Sequence, residues 1–372
     1  MKHAHLTSLL CLLLIVVNGC NQLNTTQTTN KNKQEETSEP IITTSSDTIS
    51  IVLTGDVMIG INYPDTLIPV DSGRQLFKSV TPWLSNADLT IGNLEGIISN
   101  IGQPKKRCND TANCHLFRMP EELAIILSDA GYDVLSLANN HARDFGDSAI
   151  QQTINVLQEF DIVCVGQRGH CREAIVERNG YKIGILAFSP HAGSMNLLDI
   201  PTATKRVSEL KSRCDIVVVS MHGGAEGADY LHTPQEEETF LDEERGCVYC
   251  FAHAAIDAGA DLVFGHGPHV PRAVEVYKQR FIAYSLGNFC TPFKVSTKGY
   301  AGYAPIIRVT LTSNGTLVTA KVYSAIQHVQ TGPRIDPEQH VAHLIQQLTE
   351  EDFPNQPITI DTNNNVLTIK IK

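Results

Sequence analysis

The sequence predicts an α/β fold in which helices cover a β-sheet, and two features of the chain predict it. From Ile49 onward, short β-branched apolar runs bounded by turn residues alternate with segments of helical periodicity. Such runs are typical of buried strands, and their alternation with helices is typical of α/β folds. The hydrophobic fraction of 42% in 372 residues is enough to form a sizeable core.

Seven apolar runs are predicted as strands, and helical patterns lie between several of them. The predicted strands are Ile49–Leu53, Leu89–Ile91, Val134–Leu137, Ile183–Phe188, Ile216–Ser220, Leu262–Phe264 and Phe281–Leu286. The predicted helices lie near Glu121–Ala130, Ser148–Phe160, Val207–Arg213 and Phe251–Ala258.

The last part of the chain predicts a hairpin, a helix and one more strand. Asn314-Gly315 separates the apolar runs Ile306–Leu311 and Leu317–Tyr323, and Asn-Gly suits the type I′ turn of a β-hairpin. We expect this hairpin to complete a second sheet. His340–Leu348 has helical spacing, and Val366–Ile371 alternates as a final edge strand.

The first twenty residues predict export and a lipid anchor. The apolar run Leu9–Val17 is too short to span a bilayer, which needs about 20 residues, and fits the apolar region of a signal peptide. It ends at Asn18-Gly19-Cys20, which resembles the lipobox of bacterial lipoproteins, in which the cysteine receives the lipid. Cys20 is therefore the predicted lipidation site, and an ordinary signal peptide is the alternative.

Composition divides the chain into four predicted regions. Residues 21–48 are rich in Thr, Asn, Gln, Ser, Lys and Glu, so they bury too little apolar surface to fold and are expected to form a tether. The predicted regions are a signal peptide at 1–20, a tether at 21–48, the main domain at 49–332 and a C-terminal helix and strand extension at 333–372.

The cysteine count predicts disulfides. Of the ten cysteines, Cys11 falls in the signal peptide and Cys20 is the lipidation site, and an even number in an exported domain indicates disulfides. The preferred pairs are Cys108–Cys114 and Cys164–Cys171. Cys247 and Cys250 form a single CxxC, which is weak evidence both for zinc and for a thioredoxin-like site.

The net charge of −11 argues against a nucleic-acid partner, because phosphate backbones need a basic surface. The net charge does not exclude an anionic substrate, because bound metal ions would reverse the local sign of the charge.

Polar side chains of metal-ligating type follow six of the seven predicted strands. These residues are Asp56, Asn93, Glu95, Asn139, Asn140, His141, Asp144, His222, Glu226, His266, His269 and Asn288. A single Asp at such a position is usually a turn or helix cap, and a single His is usually structural. Ligands bind outside the carboxyl ends of strands in open α/β sheets, so six equivalent positions predict one shared site.

The residue types in this set predict a divalent-metal centre. Carboxylate, carboxamide and imidazole groups suit Mn²⁺, Fe or Zn²⁺ better than a thiolate-binding metal. A pair of ions needs a shared carboxylate and terminal histidines, and such a pair generates a hydroxide nucleophile. Glycines near the ligands are expected to let the backbone approach a metal or substrate closely. They are Gly55, Gly223, Gly224, Gly265 and Gly267.

The order of these motifs resembles that of the CapA family, the poly-γ-glutamate capsule synthesis proteins. The matching stretches are Gly55–Met58, Asn93–Gly96, Ala138–His141, Asp144–Gly146, Gly265–Val270 and Tyr284–Phe289, within about residues 50 to 290. CapA proteins resemble calcineurin-type metallophosphoesterases. The resemblance therefore implies a metallophosphoesterase-like sandwich of two mixed β-sheets flanked by α-helices.

The resemblance also implies roles for single residues. The implied ligands of two divalent metal ions are Asp56, Glu95, Asn140, His222, His266 and His269. His141 would be the catalytic imidazole, with Asp144 and Glu226 as further catalytic residues. Asn139 and Asn288 would bind substrate. In the alternative, His141 is another ligand and Asp144 caps the helix that begins near Ser148.

Three positions depart from the family pattern. The family usually has a further His at the position of Gly267, a Trp at the position of Gly223 and an aromatic residue at the position of Gly227. These departures affect the expected substrate pocket more than the metal ligands.

Three functions fit these features. The first is a metal-dependent hydrolase or transferase of the cell envelope, acting on an anionic or amide-linked polymer or a phosphoester. The second is a non-catalytic protein that assembles or anchors a capsular polymer. The third is a metal-assisted peptide epimerase.

Overall fold

In the computed structural model, the described residues are 47–105, 115–363 and 366–372. The predicted signal peptide, Cys20, the tether as far as residue 46 and the predicted Cys108–Cys114 disulfide lie outside them. No helix in these described ranges combines the length and the apolar character that a membrane crossing requires.

Strands are numbered along the described residues. The first eleven are β1 (Thr48–Val57), β2 (Leu89–Leu94), β3 (Ile97–Ile98), β4 (Arg118–Met119), β5 (Val134–Ser136), β6 (Val163–Val165), β7 (Glu173–Arg178), β8 (Tyr181–Ser189), β9 (Met195–Asn196), β10 (Ile216–His222) and β11 (Glu238–Phe240). The others are β12 (Glu243–Gly246), β13 (Leu262–His266), β14 (Val274–Tyr277), β15 (Arg280–Ala283), β16 (Asn288–Cys290), β17 (Ile306–Thr312), β18 (Leu317–Tyr323), β19 (Ala325–His328), β20 (Gly332–Ile335), β21 (Ile358–Asn363) and β22 (Val366–Ile371).

Helices alternate with these strands as the sequence predicts. The α-helices are α1 (Thr81–Leu84), α2 (Ala124–Ala130), α3 (Asp147–Glu159), α4 (Ile200–Lys211), α5 (Val248–Asp257) and α6 (His340–Asp352). Short 3₁₀ turns span Val70–Gly73, Glu121–Leu123, Ala228–Tyr230 and Gly299–Gly302.

The first sheet is mixed and runs in the order β21-β22-β18-β17-β1-β2-β5-β6, with β16 beside β1. Strands β1, β2, β5 and β6 are parallel, and β16 runs parallel to β1. The hairpin β17–β18 joins this sheet antiparallel to β1. The carboxyl ends of β1, β2 and β5 therefore lie at one edge.

The second sheet is also mixed and runs in the order β14-β15-β13-β10-β8-β7, with β9 beside β8. Strands β8, β10, β13 and β15 are parallel, while β7 and β14 are antiparallel to their neighbours. The carboxyl ends of β10 and β13 therefore also lie together.

The two sheets share one apolar core. It includes Leu53 and Ile91 from the first sheet and Val218 and Phe264 from the second, all fully buried. Further apolar clusters bury α2 and α3 against the first sheet, and α4 and α5 against the second. The predicted fold class, a sandwich of two mixed β-sheets flanked by α-helices, is confirmed.

Two predictions about the C-terminal strands are wrong. The hairpin β17–β18 extends the sheet that contains β1, whereas it was expected to complete a second sheet. Strand β22 lies between β18 and β21, so the final strand is not at the edge. Strand β21 was missed because Pro357, Asp361 and Thr362 interrupt its short apolar pattern.

Helix α4 begins at Ile200, seven residues before the predicted start at Val207. The Asp199 carboxylate caps it by accepting a hydrogen bond from the Thr202 backbone N–H at 3.2 Å, and Pro201 lies in the first turn. An Asp cap followed by proline in the first turn is a helix start signal that the apolar spacing alone does not reveal.

Candidate metal centre

The carboxyl ends of parallel strands from both sheets meet at one place. In the first sheet, Asp56 of β1 is in register with Asn93 of β2 and with Asn288 of β16. In the second sheet, His222 of β10 is in register with His266 of β13. The His266 Nδ1 atom lies 3.1 Å from Asp56 Oδ1, so side chains from the two sheets are in direct contact.

Asp56 lies at the centre of this contact and is fully buried. Its Oδ1 accepts a hydrogen bond from the Asn93 amide at 2.8 Å, and its Oδ2 contacts His269 Nδ1 at 3.0 Å. Together with His266, these neighbours come from two strand ends, that of β2 in the first sheet and that of β13 in the second.

Asp56, Glu95 and His222 form a buried group whose ligand atoms lie within 4.8 Å of one another. Glu95 Oε2 lies 3.8 Å from His222 Nδ1, and Glu95 Oε1 lies 4.0 Å from His141 Nε2. Two carboxylates and one imidazole at these distances are a ligand set for a divalent ion.

Several buried polar atoms of the site have no hydrogen-bond partner among the described residues. These atoms are Glu95 Oε1, Asn140 Oδ1, both ring nitrogens of His222 and the Nε2 atom of His266. Buried polar atoms nearly always have partners, so a group of five at one place needs an explanation. Both oxygens and the unprotonated ring nitrogen of each histidine carry lone pairs that divalent ions would satisfy, so the residues present fit a metal centre.

Burial and charge act together on the acids and bases of the site. Burial, together with the charge of Asp56, raises the pKa of Glu95 to about 8. Burial lowers the pKa of His269, but its hydrogen bond to Asp56 and the charge of Asp56 outweigh burial and raise that pKa to about 10. Burial holds the pKa of His222 well below its usual range, so its imidazole is neutral, the form that binds metals.

His141 is held beside the carboxylate group by one acidic partner and one aromatic partner. Its Nδ1 contacts Asp144 Oδ2 at 2.8 Å, and its ring centroid lies 4.1 Å from that of Phe117. Asp144 is itself buried, and Oδ2 also accepts a hydrogen bond from the Phe117 backbone N–H at 3.0 Å. The ring is therefore fixed with Nε2 directed towards Glu95.

Three asparagines join the site residues by hydrogen bonds. The Asn93 amide nitrogen donates to Asp56 Oδ1 and to Glu95 Oε2, at 2.8 and 2.6 Å. The Asn139 amide nitrogen donates to Asn93 Oδ1 and to the Leu94 carbonyl, and Asn139 Oδ1 accepts from the His141 backbone N–H.

The third is Asn288, whose amide donates to the carbonyls of His269 and Ala301, while its Oδ1 contacts His269 Nδ1 at 3.0 Å. Asn139 and Asn288, which the sequence suggested for substrate binding, therefore have their amide donors occupied within the protein. Asn93 was assigned no ligand, catalytic or substrate-binding role from the sequence, although Asn93 and Glu95 both lie at the end of β2.

Glu226 lies next to the metal centre, and its partner was not found from the sequence. Glu226 Oε2 lies 4.0 Å from His269 Nε2, and Glu226 Oε1 accepts a 2.7 Å hydrogen bond from Arg245. The Arg245 side chain is 4% exposed and also pairs with Glu243 at 3.1 Å. Arg245 comes 19 residues after Glu226 in the chain, and no motif links the two.

His191 is a second residue that the sequence interpretation missed. Its ring centroid lies 5.9 Å from that of His222, and the residue lines the cleft above the metal centre. It follows the end of β8 by two residues. The strand-end rule that selected the other residues could therefore have selected His191.

A cleft of about 1040 Å³ opens over the site. Its walls include the site residues Asn139, Asn140, His141, Asp144, Glu226, His269 and Asn288. The basic residues Lys105, Arg143, Arg245 and Lys294 also line it. Of these, Lys105 and Lys294 form no ion pair with any residue that the structure describes. In a chain of net charge −11, this cleft thus presents two ammonium groups that have no ion-pair partner among the described residues.

Two of the glycines near the ligands are required by the packing of neighbouring strands. A Cβ atom on Gly55 would lie 2.0 Å from the Gly287 carbonyl oxygen, and one on Gly265 would lie 2.0 Å from that of Tyr284. Both glycines therefore allow neighbouring strands to approach each other.

The cysteines differ from the prediction. Cys164 and Cys171 are both free thiols that hydrogen bond to each other, so the predicted disulfide between them is wrong in this structure. The disulfide of the described residues joins Cys247 and Cys250, whose Cα atoms lie 5.2 Å apart at the start of α5.

Two mixed sheets and a buried carboxylate–imidazole group define an α/β protein with a candidate divalent-metal centre. The family model described as bacterial capsule synthesis protein PGA_cap matches residues 50–292, which contain every residue of this centre. The chain belongs to that family of capsule synthesis proteins.

Named relatives agree with this family. The chain is 29% identical over 321 residues to the capsule biosynthesis protein CapA of Bacillus anthracis, covering 81% of this chain and 73% of that protein. It is 31% identical over 265 residues to the PGA biosynthesis protein CapA of Bacillus subtilis strain 168, covering 66% of this chain and 64% of that protein.

Among solved structures, a hypothetical protein from Thermus thermophilus aligns with a TM-score of 0.45 at 17% identity, covering 74% of this chain and 98% of that one.

Proposed function

We propose that the chain is a metal-dependent hydrolase or transferase that acts on an anionic polymer of the cell envelope, of the poly-γ-glutamate type. One observation supports this most strongly. Five buried polar atoms on four ligand-type side chains lack hydrogen-bond partners among the described residues where the two sheets meet. The family supplies the biological setting, because its members are capsule synthesis proteins.

The proposed centre holds two divalent ions, Mn²⁺, Fe or Zn²⁺. Its ligands are Asp56, Glu95, Asn140, His222, His266 and His269. When bound, such ions polarise the group under attack and lower the pKa of a water nucleophile. Asp56 contacts both His266, which ends a strand, and His269, which lies in the following loop, so its carboxylate would hold metal together with either histidine.

The chain's own residues supply the proton transfer. His141 is proposed to donate a proton from Nε2 to the leaving group, because Nδ1 is already held by Asp144 at 2.8 Å. Asp144 keeps the ring in one orientation, as carboxylates behind catalytic or ligating histidines do. Arg245 holds Glu226 near His269, and Glu226 is proposed as a second acid–base residue at the cleft wall.

The asparagines are proposed to position these groups. Asn139 and Asn288 would set the orientations of His141 and His269 by the hydrogen bonds described above. The substrate contacts are proposed to come instead from the cleft walls, where Lys105 and Lys294 favour an anionic substrate.

The proposal is tested by turnover with the full chain, stripped of metal by a chelator and reloaded with Mn²⁺, Zn²⁺ or Fe²⁺. The substrates are bis-p-nitrophenyl phosphate and poly-γ-glutamate, with chiral analysis of the glutamate to detect epimerisation. We expect hydrolysis or transfer with a reloaded sample and none with the stripped one. Polymer binding without any turnover would favour the assembly role, and a change of stereochemistry without chain cleavage would favour an epimerase.

A lipid anchor at Cys20 is proposed for the envelope location. Cys20→Ser removes the thiol that receives lipid, so we expect the variant to lack lipid and to move from the membrane fraction to the soluble fraction. Fractionation with immunoblotting and mass spectrometry of the N-terminal peptide measure both effects. Cys11→Ser, which lies in the predicted signal peptide, is the control and should keep the anchor. Unchanged membrane retention of Cys20→Ser would count against lipidation.

A further inference from the structure

A short hairpin at the cleft ends in a leucine with an unusual backbone. Strands β11 and β12 pair antiparallel, with Phe240 opposite Glu243, so that Leu241 and Asp242 form a two-residue loop. Phe240 and Leu241 from this tip line the cleft over the metal centre. The tip is therefore part of the wall against which a substrate would lie.

Leu241 is an unfavourable residue for this loop in two ways. Its φ is 50° and that of Asp242 is 63°, the pair of positive values that a type I′ turn requires and that Asn-Gly adopts most easily. A leucine there is strained, because its Cβ approaches the following carbonyl oxygen. The residue is also 79% exposed, so no burial of the side chain offsets the strain.

The hairpin is nevertheless firmly attached at its base. Glu238 accepts two hydrogen bonds from the fully buried Arg272 guanidinium, at 3.0 and 2.7 Å. Arg272 also donates to the carbonyls of Tyr230 and Ala225, and so ties β11 to the loop that carries Glu226. These hydrogen bonds hold the base of the hairpin against the loop that carries Glu226.

Strand β12, which pairs with β11, is connected to the metal centre through the Arg245 side chain. Arg245 of β12 donates to Glu226, and Glu226 lies 4.0 Å from His269 Nε2. The Arg245 guanidinium carbon lies 5.5 Å from the centroid of the Phe240 ring, so the arginine also supports the tip. The metal centre and the hairpin tip are therefore two connected parts of one cleft.

We propose that Leu241, with Phe240 beside it, determines substrate specificity by packing on an apolar group of the substrate; this rests on the proposed function of the metal centre. Within the proposed substrates, this packing selects an anionic ester or amide that carries an apolar group next to the reacting bond, such as the two methylene carbons of a γ-linked glutamate. A leucine side chain has no polar atoms, so it is contact with an apolar group that removes its exposed surface from water, and in the cleft a substrate can supply that group. Phe117 and Val295 add further apolar surface to the same cleft.

The test uses two probes with the same anionic group, phenylphosphonate and methylphosphonate. Each is titrated calorimetrically into the manganese-loaded full chain, whose metal content is measured first. Phenylphosphonate is expected to bind the unmodified chain more tightly. Leu241→Asn should weaken phenylphosphonate binding by about 3- to 10-fold and change methylphosphonate binding by less than about twofold, since burial of part of one leucine is lost.

Thermal melts of the same variants separate specificity from strain. Leu241→Asn should raise the Tm by roughly 1 to 3 °C, because asparagine tolerates positive φ. Leu241→Ala keeps the strain and should show the same loss of preference without the rise in Tm. Asp242→Gly, the matched control, should raise the Tm and keep the preference for phenylphosphonate.

Each outcome has one meaning. Loss of the preference in both Leu241 variants, with methylphosphonate still bound, supports the inference. An unchanged preference in Leu241→Asn and Leu241→Ala overturns it and leaves the metal centre intact. If the manganese-loaded, unmodified chain binds neither phosphonate, the proposed function fails, and the inference fails with it.

Discussion

Replacement of Asp56 by alanine is expected to abolish tight retention of metal. Asp56 is fully buried and contacts His266 and His269, so its loss removes a charge and releases two imidazoles. Groups that only support a ligand are worth about 10- to 100-fold in metal affinity. Loss of this carboxylate should therefore weaken binding by at least about 100-fold. Metal content after gel filtration, measured by inductively coupled plasma mass spectrometry, gives the result.

His222→Ala tests the same centre from the second sheet. His222 is 1% exposed, and neither of its ring nitrogens has a hydrogen-bond partner among the described residues. One nitrogen of a neutral imidazole carries a lone pair, and in this buried position it can serve as a ligand, so we expect a similar loss of metal. Circular dichroism should show a folded protein, because the surrounding strands keep their backbone hydrogen bonds.

Asp261→Asn is the matched control for Asp56→Ala. Asp261 is also buried, at 1% exposure, but it precedes β13, whereas His266 ends that strand. Its carboxylate pairs with Lys211 at 2.7 Å, far along the strand from the metal centre. The variant should lose stability and keep its metal. Full metal content in both Asp56→Ala and His222→Ala would show that the assignment is wrong.

Periodicity and turn residues were enough to predict which segments form the central strands. The runs that start at Ile49, Leu89, Val134, Ile216 and Leu262 all became strands. The ends of the chain were less predictable, because a strand's place in a sheet depends on distant partners. Strand β22 has a clear alternating pattern, yet nothing local reveals that β21 covers its outer edge.

The residues of the site were also predictable, because their positions follow from where the strands end. Parallel strands place their carboxyl ends at one edge, so the residues after each strand could be selected without knowing the packing. Pairings between side chains were not predictable in this way. The contact of Glu226 with Arg245 and the contact of Asn139 with Asn93 depend on rotamers that only the folded chain defines. The hairpin β11–β12 was missed because Leu241-Asp242 is not a usual turn sequence.

His141→Ala is expected to keep the fold and the metal while it loses most of the turnover. The His141 ring is fixed by Asp144 at 2.8 Å and by Phe117, and Nε2 lies 4.0 Å from Glu95 Oε1. A general acid in this position contributes on the order of 10²- to 10⁴-fold. Steady-state kinetics should show the loss in kcat, because the proton is needed in the transition state and little in substrate binding.

Metal content separates this role from that of a ligand. If His141 were a ligand, metal occupancy would fall together with activity, and added metal would restore part of the rate. Asp144→Asn should reduce kcat with metal retained, because the amide no longer favours the ring orientation that presents Nε2. His253→Ala is the matched control, since His253 contacts Glu275 at 2.9 Å in a similar pair outside the cleft residues. It should keep kcat and metal unchanged, and a His141→Ala variant with full turnover would refute the proposed acid.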